Sequence, residues 1–311
     1  MTHQDQPNRR RFLEQIGAGA AGVWAAGAIA PSSAQAETAA PVKRSATDLV
    51  PLGDSGVKVS RLGMGTGSRG GKIQRDLSQA DFTKMIRHGI DRGVTFIDTA
   101  DNYQEMHERI RPAIRGIDRE KIQIQCKIPH GKYDDPLKEL DRFRAEVGTD
   151  YFDTLLIHCA RTADWPEKEK ELRELLDTAK EKGLIRATGV SMHGLMPLEA
   201  AANCDWGDVR LVRINHNGTK MDGPRGDWNE PGDIARVTAA VEKMHKSGKG
   251  ILGMKLIGNG DFTSAADRQK AVDFVMGLGT VDAVVIGFKS PAEIDESIMR
   301  INQALAKADK S

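Results

Sequence analysis

The sequence predicts an α/β fold: a closed (β/α)8 TIM barrel with an N-terminal β-hairpin. Eight short apolar runs alternate with eight charged, periodic segments after residue 48. The runs are nearly continuous in apolar residues, which is typical of parallel strands buried on both faces. The repeating region has the usual length of such a barrel, about 250 residues.

Residues 1–36 are predicted to be an export signal rather than part of the fold. Three arginines precede Phe12-Leu13, residues 15–30 are small and weakly apolar, and Ala34-Gln35-Ala36 offers a small-x-small cleavage site. A charged region, a short apolar region and such a site together form a secretory signal. The apolar run is too short and too mild to span a bilayer as a stable helix.

The arginine pair followed by Phe12-Leu13 resembles the twin-arginine signature, which directs bacterial export of folded proteins. This interpretation predicts a periplasmic or otherwise exported protein. Its partner during export is the twin-arginine translocase, and no stable membrane span remains after cleavage. An ordinary secretory signal or a membrane-tethered N-terminus is the alternative. Residues 37–47 have no apolar period and are predicted to be a linker, so the barrel is assigned to residues 48–311.

The barrel region begins with a predicted hairpin, in which the turn Gly53-Asp54-Ser55-Gly56 separates two short apolar stretches. The predicted barrel strands then follow at residues 61–65, 94–98, 122–127, 152–158, 185–191, 209–214, 251–255 and 281–287. The predicted helices are at residues 78–91, 105–115, 134–147, 167–182, 193–203, 232–247, 264–276 and 291–307. Gly93, Gly183 and Gly248 stand where three of these helices should end.

A doubly wound open sheet is the structural alternative to the barrel. Its dinucleotide-binding version should show Gly-x-Gly-x-x-Gly between the first strand and a helix. Here the first strand ends in Gly63-Met-Gly-Thr-Gly67, and no helix opens directly behind it. We interpret this segment as a glycine-rich loop beneath a substrate.

Composition excludes several classes of protein. The chain has 45 Lys+Arg against 44 Asp+Glu, which is not the basic excess expected for nucleic-acid binding. With 5% aromatic residues, base-stacking surfaces are not expected either. Cys126, Cys159 and Cys204 are too few and too widely spaced for a disulfide scaffold or a zinc ribbon. The small positive excess lies within residues 1–36, so their removal would leave a formally neutral chain.

Three neighbouring predicted strands end in Asp98, Lys127 and His158, and Tyr103 lies on the loop after the first of them. In such barrels the chemistry lies at the C-terminal ends of the strands, so these side chains should meet at one rim. Because buried Asp and Lys are usually paired, we expect an Asp98–Lys127 pair. A lysine beside a phenol lowers the phenol's pKa below its usual ~10, which would suit Tyr103 for proton transfer. Each residue alone has an ordinary structural explanation, but together they favour a catalytic site.

The segment from Gly93 to Tyr103 (GVTFIDTADNY), with Glu108 behind it, resembles the aldo-keto reductase signature. Further matches follow in the family's order, at Cys126-Lys127, residues 153–158, residues 189–191 and residues 286–290. The resemblance covers about residues 50–305. It implies a barrel that binds NADP or NAD in extended form. Its reaction would be reduction of the carbonyl group of an aldehyde, ketone or sugar to an alcohol, or the reverse.

The same resemblance implies roles for the rim residues. Tyr103 would be the proton donor, tuned by Lys127 and Asp98, and His158 would orient the carbonyl group or share the proton relay. The cofactor would supply the hydride while the barrel aligns it. Ser191 matches a residue that holds the nicotinamide carboxamide.

Several positions depart from the family's pattern at the nicotinamide end. Met192 stands where an asparagine is expected, Arg213 where the family usually has glutamine, and His216 where an aromatic residue stacks on the nicotinamide ring. An imidazole can still stack, and a guanidinium can still donate hydrogen bonds. Because the mature chain would be neutral, Arg213 and Lys289 are expected to steer the anionic cofactor.

At the other end of the expected cofactor site, Lys289 and Ser290 fit a contact with the ribose phosphate. The arginine often found a little further on has no match near Glu293, and a glutamate there would repel a 2′-phosphate. The choice between NADP and NAD therefore stays open at this point.

Residues 217–233 form a long polar loop after the sixth barrel strand. Loops of that length are often lids or binding loops, and Trp228 could close over a substrate or cofactor. A variable surface loop is the alternative.

Histidines 107, 130 and 193 also follow ends of predicted elements at the rim, which raises the question of a metal. Metal sites need short ligand spacing or converging carboxylates, and Asp98 would be occupied by Lys127, so we predict no metal. Two other functions stay open. The barrel could be a cofactor-divergent binding or accessory protein, or a metal-dependent hydrolase or isomerase.

Overall fold

The computed structural model describes residues 43–129, 131, 134–227 and 229–310. The predicted signal, residues 1–36, lies outside the described residues, as do residues 37–42 of the predicted linker. Trp228 and His130 also lie outside them. Within the described residues, no helix combines the length and the apolar content that crossing a membrane requires.

Two antiparallel strands, β1 (Leu49–Pro51) and β2 (Lys58–Ser60), form the hairpin that precedes the barrel. Eight parallel strands close into a barrel: β3 (Leu62–Gly65), β4 (Phe96–Asp98), β5 (Gln123–Pro129), β6 (Phe152–Ala160), β7 (Ile185–Met192), β8 (Val209–Arg213), β9 (Gly250–Met254) and β10 (Ala283–Gly287). Closure is achieved by pairing β10 with β3, where Val284 lies opposite Leu62. The predicted (β/α)8 barrel with an N-terminal hairpin is confirmed.

The helices within the described residues lie outside this barrel: α1 (Lys72–Arg75), α2 (Gln79–Asp91), α3 (Met106–Ile114), α4 (Pro136–Val147), α5 (Trp165–Lys168), α6 (Lys170–Glu181), α7 (Leu195–Ala201), α8 (Ile234–Lys246), α9 (Ala265–Gly277) and α10 (Pro291–Ala308). Two differ from the prediction: α1 is additional, and the helix predicted at 167–182 is divided into α5 and α6. Gly93, Gly183 and Gly248 lie two residues beyond α2, α6 and α8 with positive φ. Side-chain-bearing residues rarely adopt that conformation, which explains the helix ends.

The apolar residues form two cores separated by the barrel wall. One fills the space between the strands and the helices. The other fills the barrel interior, where Phe96, Leu156 and Leu252 pack against the hairpin residues Leu52 and Val59. Leu52 lies against Gly250 at the start of β9, so the hairpin closes the N-terminal end of the barrel. The C-terminal rim is left as the end where polar side chains can meet a ligand.

Candidate active site

The polar residues predicted at three strand ends meet at the C-terminal rim. Asp98 ends β4, Lys127 and His158 lie near the ends of β5 and β6, and Tyr103 ends a short 3-10 turn after β4. Lys127 Nζ donates to Asp98 Oδ1 and to the carbonyl of Thr99 at 2.9 Å. Both members of this pair are buried, with exposed fractions of 1% for Lys127 and 5% for Asp98. The expected pair is present.

The Tyr103 hydroxyl lies beside this pair, 3.4 Å from Lys127 Nζ. The ring of Tyr103 meets the His158 ring edge to face, with 5.6 Å between centroids. A lysine, a phenol and an imidazole therefore lie together at one point of the rim, as the sequence predicts. A carbonyl oxygen placed there could accept a proton from the phenol.

A second polar contact that the sequence does not reveal fixes the Asp98 carboxylate. Gln125 Nε2 donates to Asp98 Oδ1 at 2.7 Å, and Gln125 Oε1 accepts from Thr154 Oγ1 at 2.9 Å. Both side chains are fully buried inside the barrel. Because Asp98 is held by Gln125 as well as Lys127, its orientation does not depend on the lysine alone.

The loop that bears Tyr103 is held in place by neighbouring arginines. Arg75 donates to the carbonyl oxygens of Tyr103 and Gly70, each at 2.8 Å, and Arg142 donates to Asp101 Oδ1 at 2.7 Å. The phenol itself lies directly against Gly67. A Cβ at residue 67 would lie 2.3 Å from the Tyr103 ring, so only glycine leaves room for the phenol.

Burial raises the pKa of Tyr103, and the charge of Asp98 raises it further, while Lys127 lowers it. The net effect is a raised pKa for Tyr103. The expectation of a lowered phenol pKa is therefore wrong for this structure, although Lys127 acts in the predicted direction. For Lys127, burial lowers the pKa, but Asp98 and Tyr103 outweigh burial and raise it. Tyr103 is thus a neutral phenol at neutral pH, beside a lysine that stays charged and can stabilise a phenolate.

A cleft of about 610 Å³ runs from Asp98 and Tyr103 to the first turns of α10. It is bounded by the loops that follow β3, β9 and β10. Its cationic lining residues are Arg69, Lys255, Arg268, Lys289 and Arg300, and its carboxylates are Asp98, Glu293 and Glu296. The excess of positive charge suits a polyanionic ligand.

Lys289, one of the two predicted phosphate contacts, lines the cleft. A carboxylate, that of Glu293, lies beside it. Glu293 accepts the backbone N–H of Lys289 at 2.9 Å, and its other oxygen lies 3.9 Å from Lys289 Nζ. The Ser290 hydroxyl accepts from the N–H of Glu293 at 3.4 Å and caps α10. Glu293 therefore offsets part of the charge that Lys289 would offer to a phosphate.

Arg213 does not have the steering role expected for it. Its guanidinium is buried, with 1% exposed, and pairs with Asp222 of the long loop, Nε to Oδ1 at 2.7 Å. Asp222 also accepts the N–H of Gly194 at 2.6 Å. The expectation that Arg213 steers an anionic cofactor is wrong, because its guanidinium is buried against Asp222 and does not line the cleft. The pair instead anchors the loop 217–233.

The remaining predicted cofactor contacts lie on separate elements. Ser191 is buried at the end of β7, where its hydroxyl accepts the N–H of Cys159 at 2.8 Å. His216 is half-buried and packs edge to face on Phe262, with 5.1 Å between centroids. Phe262 lines the cleft and His216 does not. The stacking and carboxamide roles of His216 and Ser191 stay predictions.

Within the part of the chain that the structure describes, no three His, Cys, Asp or Glu side chains are grouped as metal ligands would be. His107 is buried behind the rim, where its Nδ1 lies 3.0 Å from Glu146 Oε2 and its Nε2 lies 3.4 Å from Cys126 Sγ. All three cysteines lie within the described residues, and all three are free.

Sequence reasoning missed one residue of the cleft. Lys255 directly follows β9 and lines the cleft together with Asp98 and Tyr103. It ends the predicted strand 251–255, just as Asp98 and Lys127 end theirs. Comparing the last residue of every predicted strand would have found it.

Known proteins resemble this chain in sequence. The model described as "Aldo/keto reductase family" matches residues 61–277. An aldo-keto reductase of Bacillus subtilis (strain 168), YhdN, is 28% identical over 156 residues, which are 45% of this chain and 45% of that protein. A 9,11-endoperoxide prostaglandin H2 reductase of Trypanosoma cruzi (strain CL Brener) is 29% identical over 142 residues, 43% of this chain and 45% of that protein. The chain spans about half the length of the curated relatives it matches.

Solved structures share the fold over most of the chain. A crystal structure of a proposed aldo-keto reductase from Pseudomonas aeruginosa superposes with a TM-score of 0.67 and 25% identity, over 85% of this chain and 99% of that one. An aldo-keto reductase from Klebsiella pneumoniae, solved in complex with NADPH, gives a TM-score of 0.59 and 16% identity over 84% and 94% of the two chains. At 16% identity the second likeness shows the fold alone.

Proposed function

Since the chain belongs to the aldo/keto reductase family, we propose that it is an NAD(P)-dependent oxidoreductase. It reduces the carbonyl group of an aldehyde, ketone or sugar to an alcohol, or catalyses the reverse reaction. The observation that supports this best is the buried Asp98–Lys127 pair, whose ammonium lies 3.4 Å from the Tyr103 hydroxyl at one end of the cleft. A structural ion pair would not need a phenol at that distance.

In the proposed mechanism the chain's own residues move and hold the proton. Tyr103 donates its O–H proton to the carbonyl oxygen, and the Lys127 ammonium stabilises the phenolate that forms. Asp98 keeps Lys127 in place, and His158, against the Tyr103 ring, helps to position the carbonyl oxygen. NADP or NAD, when bound, supplies the hydride.

The residues of the cleft fit a dinucleotide. Its volume of about 610 Å³ lies within the range usual for small-molecule sites, and its cations outnumber its carboxylates. Lys289 and Ser290 at the start of α10 are the residues that would hold the adenosine end. Glu293, beside Lys289, reduces the charge available to a 2′-phosphate.

The test is a titration of the purified protein with NADPH and with NADH, followed by nicotinamide fluorescence. We expect saturable binding of at least one of them. We then expect loss of nicotinamide absorbance when aldehydes, ketones or sugars are added. Failure of both cofactors to bind would contradict the proposal.

A second candidate is a cofactor-divergent barrel that binds a ligand without reducing it. It is favoured by Arg213, which stands at a family glutamine position but pairs with Asp222 inside the protein. Absence of dinucleotide binding, or binding without turnover of any carbonyl compound, would support this candidate over the reductase.

We propose that residues 1–36 are a twin-arginine export signal and that the protein acts in the periplasm or outside the cell. Three consecutive arginines, Phe12-Leu13 and the cleavage site at Ala34-Gln35-Ala36 support this. Replacing Arg10 with lysine breaks both possible arginine pairs. We expect the full chain to reach the periplasm of a bacterial host and the Arg10→Lys variant to stay in the cytoplasm. Export that persists in the variant, or in a host without the translocase, would contradict the assignment.

A further inference from the structure

Lys255 is a cation of the cleft whose charge the protein does not offset directly. It lines the cleft with Asp98 and Tyr103, and its Nζ donates to the neutral Asn259 Oδ1 at 3.0 Å. Among the ion pairs between described residues, none includes Lys255, whereas Lys127 pairs with Asp98. A charge that is shielded from water is ordinarily paired, so a half-buried ammonium without an ion pair is available to a charged ligand.

The backbone holds Lys255 in a conformation that side-chain-bearing residues rarely adopt. Its φ is +62°, and that of Asn259, its hydrogen-bond partner, is +59°. The buried Asn215 donates through Nδ2 to the Lys255 carbonyl at 3.1 Å, and the N–H of Gly258 donates to the same oxygen at 3.0 Å. Such a conformation persists only where the surrounding structure determines it, and it is concentrated at functional sites. Lys255 is therefore preorganised rather than loosely placed.

The titratable groups that act on Lys255 come from four other strands of the barrel, β4, β5, β6 and β8. Burial and the cations Arg213 and Lys127 lower the pKa of Lys255, whereas Asp98 and Cys159 raise it, and the net value is about 8. A bound anion would reverse this effect, because a negative charge beside the amine favours its protonated form.

We propose that Lys255 binds an oxyanion in the cleft, and that this oxyanion is a phosphate of the dinucleotide. The proposal rests on the function proposed above. Tyr103 and the first turns of α10 line one cleft, and the loop that begins at Lys255 lines the same cleft. A dinucleotide that reaches both ends brings its diphosphate past this loop. A carboxylate on the carbonyl substrate is the other group that could supply an oxyanion at this position.

The pH dependence of binding has a defined sign. Only the ammonium form of Lys255 attracts the oxyanion, and the pKa of this amine in the free protein is about 8. Dinucleotide affinity should therefore be constant below neutral pH and fall as the pH rises through 8, by up to about tenfold per unit.

The experiment measures the dissociation constants of NADPH and NADH from about pH 6.5 to about pH 9.5, across the pKa of the amine. Lys255→Asn removes the charge with a residue that tolerates positive φ, and it should weaken binding roughly 10- to 100-fold at pH 7. Lys255→Arg keeps the charge and does not titrate, so it should restore affinity and abolish the fall above pH 8. That pair of results would not arise from a merely structural lysine.

The chain offers a matched control at the other end of the same strand. Lys249 lies directly before β9, and its Nζ donates to the carbonyl of Asp205 at 2.6 Å. Burial lowers the pKa of Lys249 as well, yet this residue does not line the cleft. Lys249→Asn should leave the dissociation constants and their pH dependence as in the unchanged protein.

The same measurements distinguish a phosphate of the dinucleotide from a carboxylate of the substrate as the source of the oxyanion. The Lys255→Asn variant could keep its dinucleotide affinity and show a raised KM only for carbonyl substrates that bear a carboxylate. That result would overturn the assignment to phosphate in favour of the substrate. No change in either property would overturn the anion-binding role altogether.

An experiment with a probe that lacks nicotinamide tests the oxyanion site independently of the proposed reductase function. Inorganic pyrophosphate should protect Lys255, and not Lys249, from an amine-acylating reagent, as measured by mass spectrometry. Protection in a protein that binds neither NADPH nor NADH would support the oxyanion site while the reductase proposal fails. Equal acylation of Lys255 with and without pyrophosphate would count against the site.

Discussion

Replacing Tyr103 with phenylalanine is expected to lower kcat for carbonyl reduction by about 10²- to 10⁴-fold, the usual contribution of a positioned proton donor. The change removes only the hydroxyl that lies 3.4 Å from Lys127 Nζ. The ring can keep its contact with His158, so dinucleotide affinity should be nearly unchanged. Cofactor titration and steady-state kinetics on the same preparation measure the two effects separately.

Tyr151→Phe is the control for this variant. Tyr151 lies between the guanidinium groups of Arg119 and Arg186, and its hydroxyl donates to Glu120 Oε1 at 3.0 Å, away from the cleft. Its loss should leave kcat unchanged. Near-normal turnover by Tyr103→Phe would remove Tyr103 from the mechanism, whatever the control shows.

The pH dependence of the unchanged enzyme should agree with the assignment of Tyr103. Reduction needs the protonated phenol, and burial raises the pKa of Tyr103 above its ordinary value. Loss of kcat in the reductive direction is therefore expected only in strongly alkaline solution, as the pH rises through that raised pKa.

Asp222→Asn is expected to lower the free energy of unfolding by about 3–5 kcal/mol, because it removes the charge that compensates a buried arginine. Arg213 is 1% exposed and Asp222 is fully buried. Asparagine keeps the size of the side chain, so the loss reports the charge and not a cavity. Urea unfolding of both proteins, with comparison of the transition midpoints at equal slope, measures the difference.

Glu199→Gln is the matched control, since it removes one charge from an exposed pair. Glu199 pairs with Arg236 at 2.7 Å, with 40% of the Glu199 side chain and 51% of the Arg236 side chain exposed. Such pairs contribute about 0–1 kcal/mol. A loss in Asp222→Asn no larger than in Glu199→Gln would contradict the anchoring role of the buried pair.

The barrel and the rim residues could be predicted because both depend on local pattern. A buried parallel strand is marked by a continuous apolar run, and the residues near its C-terminal end lie at the rim whatever the partners are. Asp98, Lys127 and His158 therefore follow from the order of the strands. Lys255 obeys the same rule, because it directly follows β9.

Other features depend on contacts that no local pattern contains. The partner of Arg213 is Asp222, which lies nine residues further on in a loop without periodicity. The sequence alone therefore suggests that Arg213 is free to bind a ligand, whereas in the structure it is paired. The direction of the Tyr103 pKa depends on how much water the folded rim excludes, which spacing does not reveal. Helices of four residues, such as α1 and α5, are too short to show a period.

Because β3 pairs with β10, the barrel can close only after nearly the whole chain has been synthesised. Leu62 and Val284 lie opposite each other in the closed barrel, although more than two hundred residues separate them. At ordinary rates of translation, roughly 10–45 s pass between the two, during which the nascent chain lacks its closing strand. If residues 1–36 are the proposed signal, they leave the ribosome well before a folded cargo exists. Under that proposal, a translocase that accepts only folded cargo would have to wait until β10 has been synthesised and has closed the barrel.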